Sequence, residues 1–239
     1  MKILIVNDDS ITAPGIAMLA EAATAFGDVW VAAPAEQCSA MSQKLTLREP
    51  LTVEKADDFP VGVKAAWKIG GTPVDCVKVA LEYLLEEKPD WVFSGINNGY
   101  NAGFDIAYSG TLGAAFEAAR NGIPAIAFSV AHEKHLPNTE RYLVSIMREL
   151  LEAGLDQGQV WNVNFPPMKE GEPNGILRSR TVAPTSMFRE KYVETRQADG
   201  TVTLACKGIP TPDDKIPEGT DAKALREGYI SIGTVSCLL

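Results

Sequence analysis

The chain begins with a strand, a polar turn and a helix, written in residues 2–27 as KILIVNDDSITAPGIAMLAEAATAFG. An unbroken apolar run such as residues 3–6 is typical of a strand that is buried on both faces, as strands in parallel sheets are. Residues 13–27 carry apolar side chains at helical spacing, with Pro14 in the first turn. The segment therefore predicts the first strand and helix of an α/β fold, joined by a turn that contains two carboxylates.

The alternation of strands and helices continues through the first two thirds of the chain. Further strands are predicted at 29–34, 91–97, 124–130 and 160–165, helices at 72–88, 109–122 and 139–154, and irregular strands between 45 and 69. Such alternation implies right-handed crossovers and a sheet that helices cover on both faces. We expect a Rossmann-like three-layer αβα sandwich with a mainly parallel sheet, followed by a C-terminal β-hairpin arm.

The chain divides into three parts, which together form one structural domain. Residues 1–167 form the expected Rossmann-like catalytic core, 168–210 a β-hairpin extension, and 211–239 a helix and a strand that return to the core. In the extension, the segments RTVA, KYVETR and TVTLACKG are typical of antiparallel strands. Exposed aromatic residues there favour a role in assembly, and a surface flap without such a role is the alternative.

Charge and cysteine usage exclude several classes of protein. The formal net charge of −9 argues against binding to a nucleic-acid polymer or an anionic membrane surface. No apolar run approaches the roughly 18 residues of a membrane-spanning helix. The four cysteines lie far apart and form neither a zinc motif nor a small disulfide framework. We expect free thiols and a cytoplasmic protein.

Oxygen-bearing side chains gather just past the ends of several predicted strands. Asp8 and Asp9 follow the first strand, Ser39 lies in the loop after the second, and Asn97 ends the strand at 91–97. Ligands of open parallel sheets bind beyond the carboxyl ends of the strands, so we expect these residues to converge. Their oxygens suit a hard divalent cation such as Mg²⁺, Mn²⁺ or Ca²⁺. The alternative is that Asp8 or Asp9 only caps a turn.

A glycine-rich segment, SGINNGYNAGFDIAYSGTLGAA (94–115), leads from a strand into a helix. Ser109, Gly110 and Thr111 stand where that helix begins, and the free N–H groups of a helix N-terminus form a binding site for phosphate. The segment contains no G-K-[ST] and is therefore not a Walker motif. A simple N-cap at Ser109 with small residues for helix packing is the alternative, and spacing alone leaves both open.

Six segments together resemble the SurE family, the stationary-phase survival proteins that act as metal-dependent 5'/3'-nucleotidases. In chain order they are ILIVNDDSITAPGI, VAAPAEQCSAMSQKLTL, GTPVDCV, SGINNGYNAGFDIAYSGTLGAAFEA, NVNFP and TDAKALREGYISI. The resemblance covers nearly the whole chain. It implies hydrolysis of nucleoside 5'- and 3'-monophosphates to nucleoside and phosphate, with short polyphosphate as a further candidate substrate.

The resemblance also implies roles for particular residues and an assembly. One divalent ion, Mg²⁺ or Mn²⁺ and in a crystal also Ca²⁺, would be held by the family's metal ligands. These ligands correspond to Asp8, Asp9, Ser39 and Asn97. The family's phosphate contacts correspond to Asn101, Ser109, Gly110 and Thr111. Family members use C-terminal segments in dimer and tetramer contacts, so a homodimer or homotetramer is expected.

The chain departs from the family pattern at several positions. Ser10 and Ala40 stand where the family commonly has glycine, Gln43 stands where a shorter polar residue is common, and the chain ends in GTVSCLL instead of the usual continuation. An alanine in place of glycine beside the metal-binding serine would stiffen or shift that loop.

The predicted mechanism is metal-assisted hydrolysis with Asp8 and Asp9 as the catalytic residues. Because the chain has only two histidines, proton transfer is expected to fall to a carboxylate. We favour Asp8 as the base that takes a proton from water, while direct attack of Asp8 on phosphorus is the other route. A receiver-like phospho-signalling domain and a nucleotide-binding protein without catalysis are the alternative functions.

Overall fold

The computed structural model describes residues 1–132, 139–167 and 172–236, and its strands form one large sheet and one separate hairpin. The strands are β1 (Lys2–Val6), β2 (Asp28–Pro34), β3 (Val53–Lys55), β4 (Ala65–Ile69), β5 (Trp91–Asn98), β6 (Ala125–Val130), β7 (Gln159–Phe165), β8 (Ile176–Leu177), β9 (Phe188–Arg196), β10 (Val202–Pro210) and β11 (Ile230–Ser236). The α-helices are α1 (Pro14–Ala23), α2 (Pro73–Val79), α3 (Gly110–Arg120), α4 (Thr139–Ala153) and α5 (Asp221–Arg226).

The large sheet is mainly parallel and has the strand order β3-β4-β2-β1-β5-β6-β7-β11-β8. Only the pairs β3–β4 and β7–β11 are antiparallel. The chain builds outward from β1 to one side through β2 and then to the other side through β5. This reversal is a topological switch point, where ligands of doubly wound sheets bind.

Helices cover both faces of the sheet because alternate residues of each strand point to opposite sides. In β1, Ile3 and Ile5 belong to a core that includes residues of α1 and α4. Leu4 and Val6 belong to a second core with residues of α2 and α3. All four side chains are fully buried. The predicted Rossmann-like three-layer fold is therefore confirmed.

Two predicted elements differ from the structure. The helix expected at 72–88 begins as predicted, with Pro73 in its first turn and a capping box between Thr72 and Asp75. It leaves the α-helical pattern at Val79, continues as a π-helical turn and ends at Leu84. Pro89 disfavours helical backbone at Lys88, the residue before it, and so opposes extension of the helix at its C-terminal end.

The second difference concerns RTVA, which was expected to be a strand. Within the described part of this segment, only Thr181 makes a β-bridge, to Thr220. The antiparallel hairpin itself is confirmed and is formed by β9 and β10 in continuous register. Every residue of these two strands is exposed. The first residues of the predicted extension, 168–171, and the chain's end, 237–239, lie outside the described residues.

Over the described ranges, none of the helices has the length and apolar character that crossing a membrane requires.

Candidate active site

A cavity of about 190 Å³ opens at the carboxyl edge of the sheet, beside the switch point. It is lined by Asp8, Asp9, Gln37, Ser39, Ala40, Asn97, Asn98, Asn101, Asp105, Tyr108 and Ser109. The structure thus brings together all four predicted metal ligands and two of the predicted phosphate contacts. The other two, Gly110 and Thr111, lie behind the lining, against Asp8.

Asp8 is the most deeply buried carboxylate of the cavity, with 5% of its surface exposed. Its Oδ1 accepts a hydrogen bond of 2.7 Å from the Thr111 hydroxyl. Burial raises the pKa of Asp8 to about 6, and the neighbouring Asp9 adds to this rise. Hydrogen bonds from the Thr111 hydroxyl and backbone N–H act in the opposite direction. Asp8 is therefore held in a fixed orientation in surroundings that disfavour its charge.

Asp9, in the turn after β1, hydrogen-bonds to the loop after β2 and to the last residue of β5. Its Oδ1 accepts a hydrogen bond of 3.2 Å from Gln37 Nε2, and its Oδ2 accepts one of 2.9 Å from the backbone N–H of Asn98. The backbone N–H of Cys38 donates to the carbonyl oxygen of Asp8 at 2.7 Å. These bonds fix the loop that carries Ser39 against the turn after β1.

Asn97 reaches the cavity through an irregularity in β5. The pairing of β5 with β6 changes register between Ser94 and Asn97, and such bulges re-aim side chains. Asn97 Nδ2 donates to the carbonyl oxygen of Gly99 at 2.8 Å. With its nitrogen engaged in this bond, the oxygen of the amide is the atom suited to a cation.

The two departures from glycine lie in left-handed backbone. Ser10 has a φ of +92° and Ala40 a φ of +56°. These are conformations that glycine adopts at little cost and other residues adopt rarely. The structure thus gives a physical reason for glycine at both positions, and the chain keeps that backbone shape without it.

The N-terminus of α3 combines both roles that the sequence left open. Ser109 caps the helix, since its Oγ accepts a hydrogen bond of 3.0 Å from the N–H of Leu112, and it also lines the cavity. A Cβ at Gly110 would lie 3.0 Å from the Cβ of Asp8, so the absence of a side chain permits this close approach. Thr111 directs its donors to Asp8, which places the positive end of the helix dipole at that carboxylate.

Several residues of the site were missed by sequence reasoning. Gln37, Asn98, Asp105 and Tyr108 also line the cavity. Asn162 and Asn164 of β7 lie behind it and hydrogen-bond the backbone of Asn101. Two asparagines at alternating positions among the apolar residues of 160–165 are a signal that could have revealed them, because buried amides require partners.

The charged side chains in the described lining of the cavity are all negative. Asp8, Asp9 and Asp105 contribute carboxylates, and no lysine or arginine is among the described lining residues. Over the described ranges, no group of three or more His, Cys, Asp or Glu residues could hold a metal ion. A cation held here would therefore need neutral oxygens as well, and Ser39 and Asn97 offer these. Two carboxylates, a hydroxyl and an amide fit a hard divalent ion and do not fit a thiolate-seeking one.

Comparison with known proteins identifies the family. The model of the family described as "Survival protein SurE" matches residues 3–193. A Thermus thermophilus protein named 5'-nucleotidase SurE 1 is 38% identical over 239 residues, which cover 99% of this chain and 92% of the relative. A Thermoanaerobacter protein named 5'-nucleotidase SurE is 39% identical over 234 residues, covering 97% and 90%.

A solved structure agrees with these matches. The crystal structure of the SurE protein from Aquifex aeolicus superimposes with a TM-score of 0.83 at 33% sequence identity, covering 99% of this chain and 93% of that one. The family model, the relatives and the fold therefore all point the same way: the chain belongs to the SurE family.

Proposed function

We propose that this protein is a metal-dependent phosphomonoesterase that hydrolyses nucleoside 5'- and 3'-monophosphates to nucleoside and phosphate. The observation that carries the proposal is the cavity at the carboxyl edge, which gathers three carboxylates beside a helix N-terminus without a lysine or arginine in its described lining. A phosphate dianion is repelled by such carboxylates unless a cation stands between them. The relatives named 5'-nucleotidase support the same reaction.

Asp8, Asp9, Ser39 and Asn97 are the residues that would hold the ion. When bound, Mg²⁺ or Mn²⁺ would polarise a phosphoryl oxygen and make a nearby water more acidic. The Thr111 hydroxyl engages Oδ1 of Asp8, so Oδ2 is the atom that accepts the proton from the attacking water. The water oxygen then bonds to phosphorus as the ester P–O bond breaks. The leaving oxygen of the nucleoside takes up a proton from solvent, and Asp8 afterwards returns the proton it accepted to solvent.

The remaining residues bind and orient the phosphate. Asn101 and Ser109 line the cavity, and the amide of Gly110 lies at the start of α3 beside Asp8. N–H donors aimed at the equatorial oxygens stabilise the charge that spreads over them during phosphoryl transfer. Thr111 acts first on Asp8, so its contribution to phosphate binding is mainly indirect.

The experiment is a panel of nucleoside 5'- and 3'-monophosphates and short polyphosphate, assayed for phosphate release with Mg²⁺, with Mn²⁺ and with EDTA. We expect release from the 5'- and 3'-monophosphates that depends on the metal and stops with EDTA. Release that EDTA leaves unchanged would contradict the metal requirement. No release from any nucleotide, with binding retained, would favour a nucleotide-binding protein without catalysis. A stable acyl-phosphate formed from acetyl phosphate would favour the receiver-like alternative.

We also propose that the hairpin of β9 and β10 takes part in a homodimer or homotetramer. Its exposed side chains include Phe188, Tyr192 and Leu204, which a single chain leaves in contact with water. Light scattering of the purified protein measures the number of copies.

The predicted cytoplasmic location rests on the cysteines of the described residues, Cys38, Cys76 and Cys206, which are free thiols.

A further inference from the structure

We propose that Asn164 and Asn162 are positioning residues, which hold Asn101 in the place where it meets the phosphate. The inference rests on the proposed function, because it assigns to Asn101 a contact with the substrate. Neither of the two β7 residues lines the cavity, so they act through Asn101 and not on the substrate directly.

The backbone of Asn101 is bound on both sides by amide side chains of β7. Its N–H donates to Asn164 Oδ1 at 2.9 Å. Its carbonyl oxygen accepts from Asn162 Nδ2 at 2.8 Å and from Asn164 Nδ2 at 3.0 Å. A residue in a loop is thus tied to a strand of the central sheet by three hydrogen bonds.

The two β7 amides also fix each other. Asn164 Nδ2 donates to Asn162 Oδ1 at 3.2 Å, so each amide has one rotational orientation that satisfies all the bonds. Asn164 is fully buried and Asn162 is 3% exposed. In such surroundings hydrogen bonds are strong, and an unpaired polar group is costly.

The side chain of Asn101 is oriented as well. Its Nδ2 donates to Ser129 Oγ at 2.7 Å, and Ser129 is fully buried in β6. An asparagine amide carries two N–H groups, so the second remains as a donor. Because Asn101 lines the cavity, this donor is available to an anion there.

The register of the sheet explains why β7 carries these residues. Asn162 and Asn164 are two positions apart and therefore point to the same face of the strand. Asn164 pairs with Ser129 of β6 on one side and with Ser231 of β11 on the other. Ser231 is 1% exposed, and its hydroxyl has no hydrogen-bond partner among the residues that the structure describes. It is therefore a matched control: a buried polar residue at the same level of the sheet without a bond to Asn101.

The test compares Asn164→Ala and Asn162→Ala with Ser231→Ala in the full-length protein. We expect Asn164→Ala to lower kcat/KM for a nucleoside 5'-monophosphate about tenfold to a hundredfold, since small misplacements of a catalytic contact have effects of that size. Asn162→Ala removes one of the three bonds and is expected to act more mildly. Affinity for Mn²⁺, measured by calorimetry, should stay within about twofold, because the bonds to Asn101 do not involve Asp8, Asp9 or Ser39.

A double-mutant cycle separates positioning from a general loss of stability. If Asn164 acts through Asn101, the variant that combines Asn101→Ala with Asn164→Ala should be no slower than Asn101→Ala alone. Multiplicative losses in the double variant would overturn the proposal. So would a loss of Mn²⁺ affinity that parallels the loss of activity, or an equal loss of activity in Ser231→Ala.

Hydrogen exchange tests the same contact without turnover. Amide exchange in a peptide spanning residues 99–104 should be faster in Asn164→Ala than in Ser231→Ala, because the Asn101 N–H loses its acceptor. Equal exchange in the two variants would overturn the positioning role. If the wild-type protein hydrolyses no nucleotide but exchange responds as expected, the proposed function fails and the structural part of the inference stands.

Discussion

The two edges of the central sheet carry cavities of opposite character. At the amino edge, a cavity of about 500 Å³ is lined by Trp30 and Trp67 together with charged residues of both signs. Lys64 pairs there with Asp28 at 3.1 Å, and Lys2 pairs with Glu87. At the carboxyl edge the cavity is smaller, about 190 Å³, and the described part of its lining contains carboxylates but no lysine or arginine.

The difference teaches that carboxylates without a neighbouring positive charge are a better indication of a ligand-binding site than the volume of a cavity is. Exposed ion pairs contribute little to stability and leave no demand for a ligand. A buried carboxylate without a cation is unfavourable in the isolated chain and becomes favourable when an ion binds. Each prediction below changes one charge or one backbone strain at an edge of the sheet.

The largest effect is expected on activity at the carboxyl edge. Asp8→Asn should lower kcat about a thousandfold, because general base catalysis contributes on the order of 10²- to 10⁴-fold. Asp28→Asn at the amino edge is the matched control and should leave kcat unchanged. Phosphate release with saturating Mn²⁺ measures both variants. Near-normal turnover by Asp8→Asn would remove that carboxylate from the chemistry.

The same substitution should stabilise the metal-free protein. Burial raises the pKa of Asp8 from 3.8 to about 6, so the folded chain binds this proton more tightly than the unfolded chain. Stability contributed by the protonated form is present below pH 4 and is lost as the pH rises through about 6. At pH 7.5 we expect Asp8→Asn to raise the free energy of unfolding by on the order of 2 kcal/mol.

Urea denaturation in EDTA at pH 7.5 and at pH 4 checks this expectation. The advantage of Asp8→Asn should shrink at pH 4, where the wild-type carboxyl is largely protonated in the folded state. An advantage of the same size at both pH values would show that it does not arise from ionisation.

A smaller effect is expected from relieving strain in the turn after β1. Ser10 has a φ of +92°, so Ser10→Gly should raise the free energy of unfolding by about 0.5–1 kcal/mol. Ser145→Gly, in the middle of α4, is the control and should lower it, because glycine is a poor helix former. Thermal or urea unfolding measures both variants. A loss of stability in Ser10→Gly would contradict the inference that the backbone of Ser10 is strained.

The smallest effect is expected at the amino edge. Lys64→Ala breaks an ion pair whose side chains are more than half exposed, so the free energy of unfolding should change by less than about 0.5 kcal/mol. Nucleotidase activity should also be unchanged. A clear loss of activity in this variant would show that the amino edge matters to the reaction and would break the comparison between the two edges.

The sequence predicted those parts of the site that follow from local pattern. Apolar runs marked the strands, and their carboxyl ends placed Asp8, Asp9, Ser39 and Asn97 at one edge, where the structure brings them together. The roles of these residues as ligands remain predictions. The parallel fold was predictable for the same reason, because strands and helices alternate along the chain.

The parts that could not be predicted depend on contacts between distant segments. Asn162 and Asn164 bond to Asn101, about 60 residues earlier in the chain, and no local pattern encodes that pairing. Asp221 accepts hydrogen bonds from the backbone N–H groups of Gly103 and Ala183, which ties α5 to the loop after β5. The short helix in which it lies was predicted, but the bonds that its carboxylate makes depend on the packed structure.

The position of β7 in the chain has a consequence for protein synthesis. Every predicted ligand of the ion lies before residue 98, whereas the amides that hold Asn101 come from residues 162 and 164. A nascent chain emerges from its N-terminus onward and folds in that order. The part of the cavity that carries the predicted ion ligands is therefore translated first, and the part that carries Asn101, a predicted phosphate contact, is completed only after β7 has left the ribosome.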